Sequence, residues 1–432
     1  MTKLKKALTL YGLTMVAVGS CIGSGIFLTP SLIASELPSA FNILLVWTIG
    51  GVWALTGALT FSELGGLFPK TGGVYVYLQE AYGKFTAFLY GWTILTVVTS
   101  GAIAALSLAF ARYIDVIIPL GQGGIQLVGM LAIIIVTVVN IFGVKLAEAF
   151  ASLFTSLKLL GIAFIVLVGI WFYCSTDSIN IDFSPSSAPA TSFAIALIGV
   201  MWSFGGWHHA SYLAGETLNP QKTIPRAMVI GALIVTLTYL LANLAYIFLL
   251  PVEQIGSSTA VASDAIGQLF GWGGMLVAVL IAVSTFGTAG IYTLSAPRIY
   301  FAMAKDGVFF KFLSEVHPRW QTPVWAIVLQ SIWSLILLKF WSTFENLIAY
   351  VVFMDILFMT LAGLSVFIFR NKMKEAERPY KVFGYPIIPL IFALISIWFM
   401  LYTLAGRPEQ AIGGLVLAGI GGVLYLILYG RK

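Results

Sequence analysis

Gly19-Ser20-Cys21-Ile22-Gly23-Ser24-Gly25-Ile26-Phe27 sits in the middle of the first long apolar stretch of the chain. Glycine widens backbone freedom and removes side-chain packing, so Gly19, Gly23 and Gly25 together interrupt any helix built through this stretch. Inside hydrocarbon an interruption is tolerated only where the freed backbone groups are buried or line a cavity. The amides freed at Gly23 to Ile26 would open a second half-helix, whose positive end is a natural seat for a carboxylate. The plainer alternative is that Gly23 and Gly25 only let another helix pack closely, as small residues do.

A second stretch of the same kind, Met201-Trp202-Ser203-Phe204-Gly205-Gly206-Trp207-His208-His209, falls in the sixth apolar run. Breaks in the first and sixth spans, five spans apart, match an inverted repeat of five helices with a binding site at its centre. An odd number of spans per repeat turns the second copy upside down. The two breaks divide the work. Amides of Gly23, Ser24 and Gly25 suit an anionic group, while carbonyls near Ala17 to Ser20 and Ser203 to Gly205 suit an ammonium. A ligand with both groups a few ångströms apart is an α-amino acid, although a sodium ion also uses such carbonyls.

Around these breaks the chain of 432 residues is 59% hydrophobic and only 9% charged, with a mean hydropathy of +0.98. That is too little charge to cover a water-exposed shell, so hydrocarbon must solvate most of the surface. Apolar runs long enough to span fall at about 10–34, 41–66, 85–112, 125–144, 148–173, 192–215, 227–250, 272–303, 322–340, 344–369, 385–405 and 410–430. A β-barrel is a poor reading, because barrel strands are short and alternate in polarity. The expectation is an all-α polytopic membrane protein of about twelve transmembrane helices. Residues 1–173 would form the first repeat, 174–370 the second, and 371–432 two helices outside the repeats, with helices 1 and 6 discontinuous.

Charge fixes the expected orientation. With the N-terminus inside, Lys3, Lys5, Lys6, Lys70, Lys84, Lys145, Lys222 and Arg226 fall in cytoplasmic segments. So do Arg298, Lys305, Lys311, Arg319, Arg370, Lys372, Lys374, Arg378, Lys381, Arg431 and Lys432. External segments hold Arg112, Lys339 and Arg407, while the loops 174–191 and 251–271 carry Asp177, Asp182, Glu253 and Asp264 with no Lys or Arg. This positive-inside pattern places both termini in the cytoplasm and explains the formal charge of +6 without a nucleic-acid partner. No loop is long enough for a receptor or nucleotide-binding domain, and no phosphate loop occurs. Secondary transporter, channel and membrane enzyme remain. No nucleophile–base–orienter set appears, which disfavours an enzyme and leaves no catalytic residue.

Short motifs run through nearly the whole chain in one order: Gly23-Ser24-Gly25-Ile26-Phe27, Glu63-Leu64-Gly65, Pro69-Lys70-Thr71-Gly72-Gly73-Val74-Tyr75, Phe204-Gly205-Gly206-Trp207, Glu216-Thr217-Leu218-Asn219-Pro220, Ile224-Pro225-Arg226-Ala227, Pro297-Arg298, Met303-Ala304-Lys305-Asp306-Gly307, Arg378-Pro379-Tyr380-Lys381-Val382 and Gly384-Tyr385-Pro386. In these the chain resembles the amino acid–polyamine–organocation superfamily, and especially its bacterial permeases akin to L-type transporters and serine/alanine exchangers. The resemblance implies a ten-helix inverted-repeat core plus two helices, working by alternating access. It implies that the substrate carboxylate meets Gly23, Ser24, Gly25 and Ile26, and that the amino group meets the broken sixth helix at Trp202, Ser203, Phe204 and Gly205. Trp202 matches the family's aromatic gate, and His208 its polar residue after Gly-Gly-Trp.

Lys158 lies inside the fifth span, where an unpartnered ammonium is costly, so it either snorkels to the interface or finds carbonyls or a carboxylate. The resemblance implies the second: a lysine reaching the first and eighth helices, where sodium-coupled relatives place a cation. Lys158 would then tie Gly23 and its neighbours to Ser284 or Thr285, and a fixed positive charge there argues against sodium coupling. Ser284, Thr285 and Thr288 alternatively satisfy only their own helix carbonyls. Thr96, Thr99 and Ser100 are pocket candidates in the third span. Asp355, the deepest carboxylate, pairs across the bundle or holds a proton. His208 and His209 are polar pocket, packing or proton-relay residues; their diverging rings and the lack of a nearby acidic or thiol cluster speak against a metal site. Glu63 and Glu216 fit an intracellular gate or simple solvation.

The reading that follows is sodium-independent exchange of small neutral L-amino acids such as serine, alanine, threonine or cysteine, with no cofactor. Proton-coupled uptake of larger neutral or cationic amino acids is the runner-up, gaining weight if Asp355 faces the cavity, and a channel is the competing class. Mammalian L-type relatives join a glycoprotein through a cysteine after span three. Residues 113–124 contain none, so the chain is expected to act without a heavy-chain partner, as a monomer in the lipid bilayer.

Overall fold

The computed structural model describes residues 4–176, 181–340 and 344–430. Lys3, Asp177, Arg431 and Lys432, which enter the charge pattern, lie outside them. Within the described residues the chain is helical, with one isolated β-bridge between Leu8 and Thr217.

The first span is split into α1 (Leu10–Cys21) and α2 (Gly25–Glu36). Thr9 starts α1, its hydroxyl accepting the Gly12 amide at 3.2 Å. Next come α3 (Ala40–Leu67) and the short α4 (Val74–Tyr82). The third span is α5 (Lys84–Thr93) and α6 (Thr99–Ile117), joined by a π-helical turn at Ile94–Val98. α7 (Gly121–Ile141) and α8 (Val144–Ser175) follow. The sixth run is broken as well: α9 (Ala190–Phe204) stops at Gly205, and α10 (His209–Tyr212) leads through a 3-10 turn at Ala214–Glu216. Then come α11 (Pro220–Leu249), α12 (Val252–Ser257), α13 (Val261–Gly267), α14 (Gly273–Ser295) and α15 (Pro297–Lys305). α16 (Val324–Phe340), α17 (Phe344–Lys372), α18 (Ile387–Gly406) and α19 (Pro408–Tyr429) complete the described chain.

Among the described residues, ten helical runs are long and apolar enough to cross a membrane, counting Leu10–Glu36 as one. Ala190–Phe204 and Val324–Phe340 are apolar but shorter, at 15 and 17 residues. The expected total of about twelve is reached only by including these two. The shortness of the first has a cause, because the glycine pair ends the helix partway along its run.

Outward faces are greasy. Leu131 and Ile135 on α7, Leu160 and Leu167 on α8, and Leu394 and Leu401 on α18 are all exposed, which suits hydrocarbon and would not suit water. Inside, small residues allow close approach. α3 packs on α11, α6 on α14, α7 on α16, and α2 on α9. α8 lies against both α11 and α14, and α17 touches α3, α6 and α9. The two broken spans therefore meet at the centre of the bundle.

Candidate functional site

The first break begins where Ile22 leaves helical geometry (φ −76°, ψ 84°) and ends where Gly25 opens α2. The Gly23 amide turns back to the Cys21 carbonyl at 2.8 Å. That engages one of the amides expected to hold an anion. The amides at Gly25 and Ile26, as the first of a new helix, have no intrahelical acceptor.

The carbonyls of Gly19, Cys21, Ile22 and Gly23 at the break find protein donors, as a low-dielectric interior favours. Lys158 is buried, and its Nζ donates to Gly19 O at 3.0 Å, Ile22 O at 2.8 Å and Thr288 Oγ1 at 2.6 Å. Thr288 Oγ1 lies 3.0 Å from Gly19 O and 2.9 Å from Ile22 O, and Ser284 Oγ donates to Gly23 O at 2.8 Å. Lys158 therefore does not snorkel. Its hydroxyl partner is Thr288, while Ser284 meets Gly23 directly. Thr285, also expected at this junction, bonds instead to Ile281 O and Ala282 O in its own helix.

The second break packs onto the first so closely that two glycines are obligatory. A Cβ on Gly25 would fall 2.8 Å from the Ser203 Cα, and one on Gly206 would fall 2.6 Å from the Ser20 Cβ. Gly206 also has φ of 129°, where an L side chain is strained. Tyr239 of α11 joins the two, its hydroxyl lying 2.8 Å from both Cys21 O and Ser203 O. The Cys21 thiol contacts Phe204 O at 3.4 Å. Phe204 itself turns its ring to Trp47 and Tyr239, with centroids 6.0 and 5.1 Å away, and acts in packing. Sequence reading did not single out Tyr239. One tyrosine in an apolar helix carries no signal until the fold places both breaks beside it.

A cavity of about 20 Å³ lies next to these breaks, lined among others by Val98, Thr99, Trp202, Gly205, Tyr292 and Asp355. It has room for about one water-sized group. Trp202 forms part of its wall and donates its indole N–H to Ser24 Oγ at 3.2 Å, which ties the cavity wall to the first break. Thr99 reaches the wall just after the π-helical turn at 94–98, a local irregularity common at functional sites. Thr96 bonds back to Trp92 O, and the Ser100 hydroxyl is buried with no partner among the described residues. Asp355 faces the cavity, and its Oδ1 lies 4.0 Å from His208 Nε2. His209 lines the cavity too and shares a hydrogen bond with Ser295 Oγ at 2.8 Å.

Two acidic residues named as gate candidates are buried in ion pairs. Glu216 takes both Nε and Nη2 of Arg298, at 2.8 and 2.7 Å, and both side chains are fully buried. Its backbone carbonyl accepts the Ala7 and Leu8 amides. Glu63 takes Arg370 through two contacts of 2.6 Å, Arg378 at 3.1 Å and the Val382 amide at 2.8 Å. Simple solvation is thus not how these carboxylates are satisfied.

A family model for amino acid permeases matches residues 8–425. The chain belongs to the amino acid permease family. This permease is 35% identical to the serine/threonine exchanger SteT of Bacillus subtilis (strain 168), over 98% of its own length and 96% of that protein. It is 30% identical to the human b(0,+)-type amino acid transporter 1, over 99% of its length and 88% of the relative. The human cystine/glutamate transporter is also 30% identical, over the whole permease and 87% of the relative. The permease is therefore a multi-pass membrane transporter and not an enzyme, and the two facing breaks occupy the interior of that carrier.

Proposed function

We propose that this permease exchanges small neutral L-amino acids, of the serine, alanine, threonine and cysteine class, by sodium-independent alternating access. The observation that carries the reading is Lys158. Its ammonium occupies the junction of the first break with α14, where it donates to Gly19 O, Ile22 O and Thr288 Oγ1. A built-in cation there takes the carbonyls that a sodium ion would otherwise coordinate. The substrate carboxylate goes to the open amides at Ser24, Gly25 and Ile26, and the amino group goes to the unwound segment from Trp202 to Gly205. Trp202 closes over it, and His208 sits behind that segment. The similarity to the serine/threonine exchanger of Bacillus subtilis supports the substrate class.

The repeats proposed are residues 1–173 and 174–370, with 371–432 outside them. Packing supports this division, since α2 meets α9, α3 meets α11, α6 meets α14, and α7 meets α16. These are the partners that a pseudo-two-fold axis would bring together. The carrier is placed in the plasma membrane with both termini cytoplasmic, from the Lys and Arg distribution, and acts as a monomer without a heavy chain.

Counterflow tests the function. Labelled serine should enter proteoliposomes faster when unlabelled serine or alanine is inside, with no change when sodium is replaced by choline. Uptake that ignores internal substrate, or a conductance in its place, would overturn the exchanger reading.

A further inference from the structure

A second cavity lies away from the two breaks. It has about 230 Å³ of room, against about 20 Å³ beside Trp202, and its wall includes Lys70, Thr71, Gln79, Phe301, Lys305 and Asp306. One side is the turn between α3 and α4 with the start of α4, and the other is the end of α15. Gly72 in that turn donates its amide to Tyr212 O at 3.1 Å, and a Cβ on it would fall 2.9 Å from the Ala302 Cβ. The turn is therefore wedged between α15 and the segment that continues from the broken sixth helix. Arg298 of α15 grips the same segment through Glu216. The charges in the cavity wall are unevenly satisfied. Asp306 Oδ2 accepts the Tyr75 hydroxyl at 3.1 Å and Gln79 Nε2 at 3.0 Å, two neutral donors. Lys305, its neighbour in sequence, makes no ion pair among the described residues, and its Nζ rests 4.6 Å from the centroid of the Phe301 ring. Lys70 has Glu80 at 3.1 Å, with both side chains open to water. A surface pair of that kind contributes little and yields to a better anion.

We propose that this cavity binds a phosphate-bearing anion, held between Lys70 on one side and Lys305 on the other, with the Thr71 hydroxyl as a further donor. Two ammonium groups face one carboxylate that already has its donors, so the wall favours an anion. Ammonium groups bind phosphate as point charges, without the bidentate geometry a guanidinium would impose. The room is below the roughly 300 Å³ at which sites for drug-sized ligands begin, which suits a single phosphate group or lipid headgroup. Phe310 and Phe312, just after α15, and Trp325 are exposed, and Lys311 lies among them. Exposed aromatics beside a lysine mark an edge that meets the membrane interface, which makes an anionic lipid headgroup the nearer source. A soluble phosphate offers the same chemistry. Bound across the cavity, the anion ties the 70–73 turn to α15 while both hold the segment from Tyr212 to Glu216, and so favours the arrangement described here over any in which they part.

The test reads melting temperature, so it is independent of substrate. Full-length protein is compared in nanodiscs of phosphatidylcholine, in nanodiscs that also contain phosphatidylglycerol, and in phosphatidylcholine nanodiscs with inorganic phosphate replacing chloride at matched ionic strength. Wild type should gain at least about 2 °C with one or both phosphate-bearing probes. A gain with phosphatidylglycerol alone assigns the site to lipid, and a gain with inorganic phosphate assigns it to a soluble anion. Lys70→Gln with Lys305→Gln, both at exposed positions, should melt like wild type in phosphatidylcholine and lose the gain. Lys305→Gln alone should cut it at least by half, and Lys70→Arg with Lys305→Arg should keep it. No gain in wild type with either probe, or an equal gain in the double glutamine variant, overturns the proposal.

Discussion

Lys158 Nζ stands 2.8 Å from the Ile22 carbonyl oxygen, a residue 136 positions away in sequence. One ammonium thereby ties the fifth span to the unwound centre of the first. Replacing Lys158 with alanine leaves the Gly19 carbonyl with Thr288 and the Ile22 carbonyl with Thr288 and Ser284, and a hydrogen bond to a charged group contributes about 1.5–3 kcal/mol. Serine counterflow should drop at least about tenfold, with the protein still eluting as a single peak in detergent. Exchange at the wild-type rate in Lys158→Ala would remove the basis for the proposed sodium independence.

Tyr239→Phe removes a hydroxyl that touches both breaks and leaves the ring packing against Trp47 and Phe204 intact. The Cys21 and Ser203 carbonyls lose the single hydroxyl proton they share, at about 1 kcal/mol of net stability. The expected outcome is a small fall in melting temperature and a larger fall in exchange rate, because the two halves of the site no longer move as one. A purely structural tyrosine would show the reverse ranking.

Gly206→Ala should be more damaging than an ordinary glycine substitution. The added methyl meets Ser20 on the other break at 2.6 Å, and the backbone there has positive φ. Exchange should be lost. Gly83→Ala provides the control, since it also has positive φ but nothing within 4 Å of its Cβ. Comparing the two in counterflow and in thermal stability separates backbone strain from contact between the breaks.

Glu216→Gln strands the Arg298 guanidinium in a fully buried place. Breaking one side of such a pair costs about 3–5 kcal/mol, whereas replacing both partners with apolar groups is often far milder. A thermal shift assay should show a large loss for Glu216→Gln and partial recovery in Glu216→Leu with Arg298→Met. Equal stability of the single variant and wild type would mean that Arg298 finds another acceptor.

The helical, membrane-spanning character and both breaks were legible, because glycine clustering and hydropathy are local properties of the chain. Lys158 was legible for a related reason: a cation in an apolar run demands a partner. Its partners were only half legible. Ser284, Thr285 and Thr288 look alike in sequence, and only the rotation of α14 about its axis decides that Ser284 and Thr288 face the break while Thr285 turns back on its own helix. Arg298 reads as one more cytoplasmic charge, yet it is buried against Glu216, 82 residues away. Such pairings depend on which helices become neighbours, and a single sequence carries no local trace of that. The π-helical turn before Thr99 is hidden in the same way, since its residues, Ile94-Leu95-Thr96-Val97-Val98, read only as a continuation of the apolar third span.

The Leu8–Thr217 bridge has a consequence for handling this molecule. Residues just inside the N-terminus are stitched to the backbone beside Glu216, through amides of Ala7 and Leu8 and a return bond from Leu218 to Leu8. The tail is thus a strut bearing on the same segment that continues from the broken sixth helix. A purification tag, fluorophore or protease site placed next to Lys6 would pull on that strut. Experiments that attach probes there would be measuring a perturbed carrier.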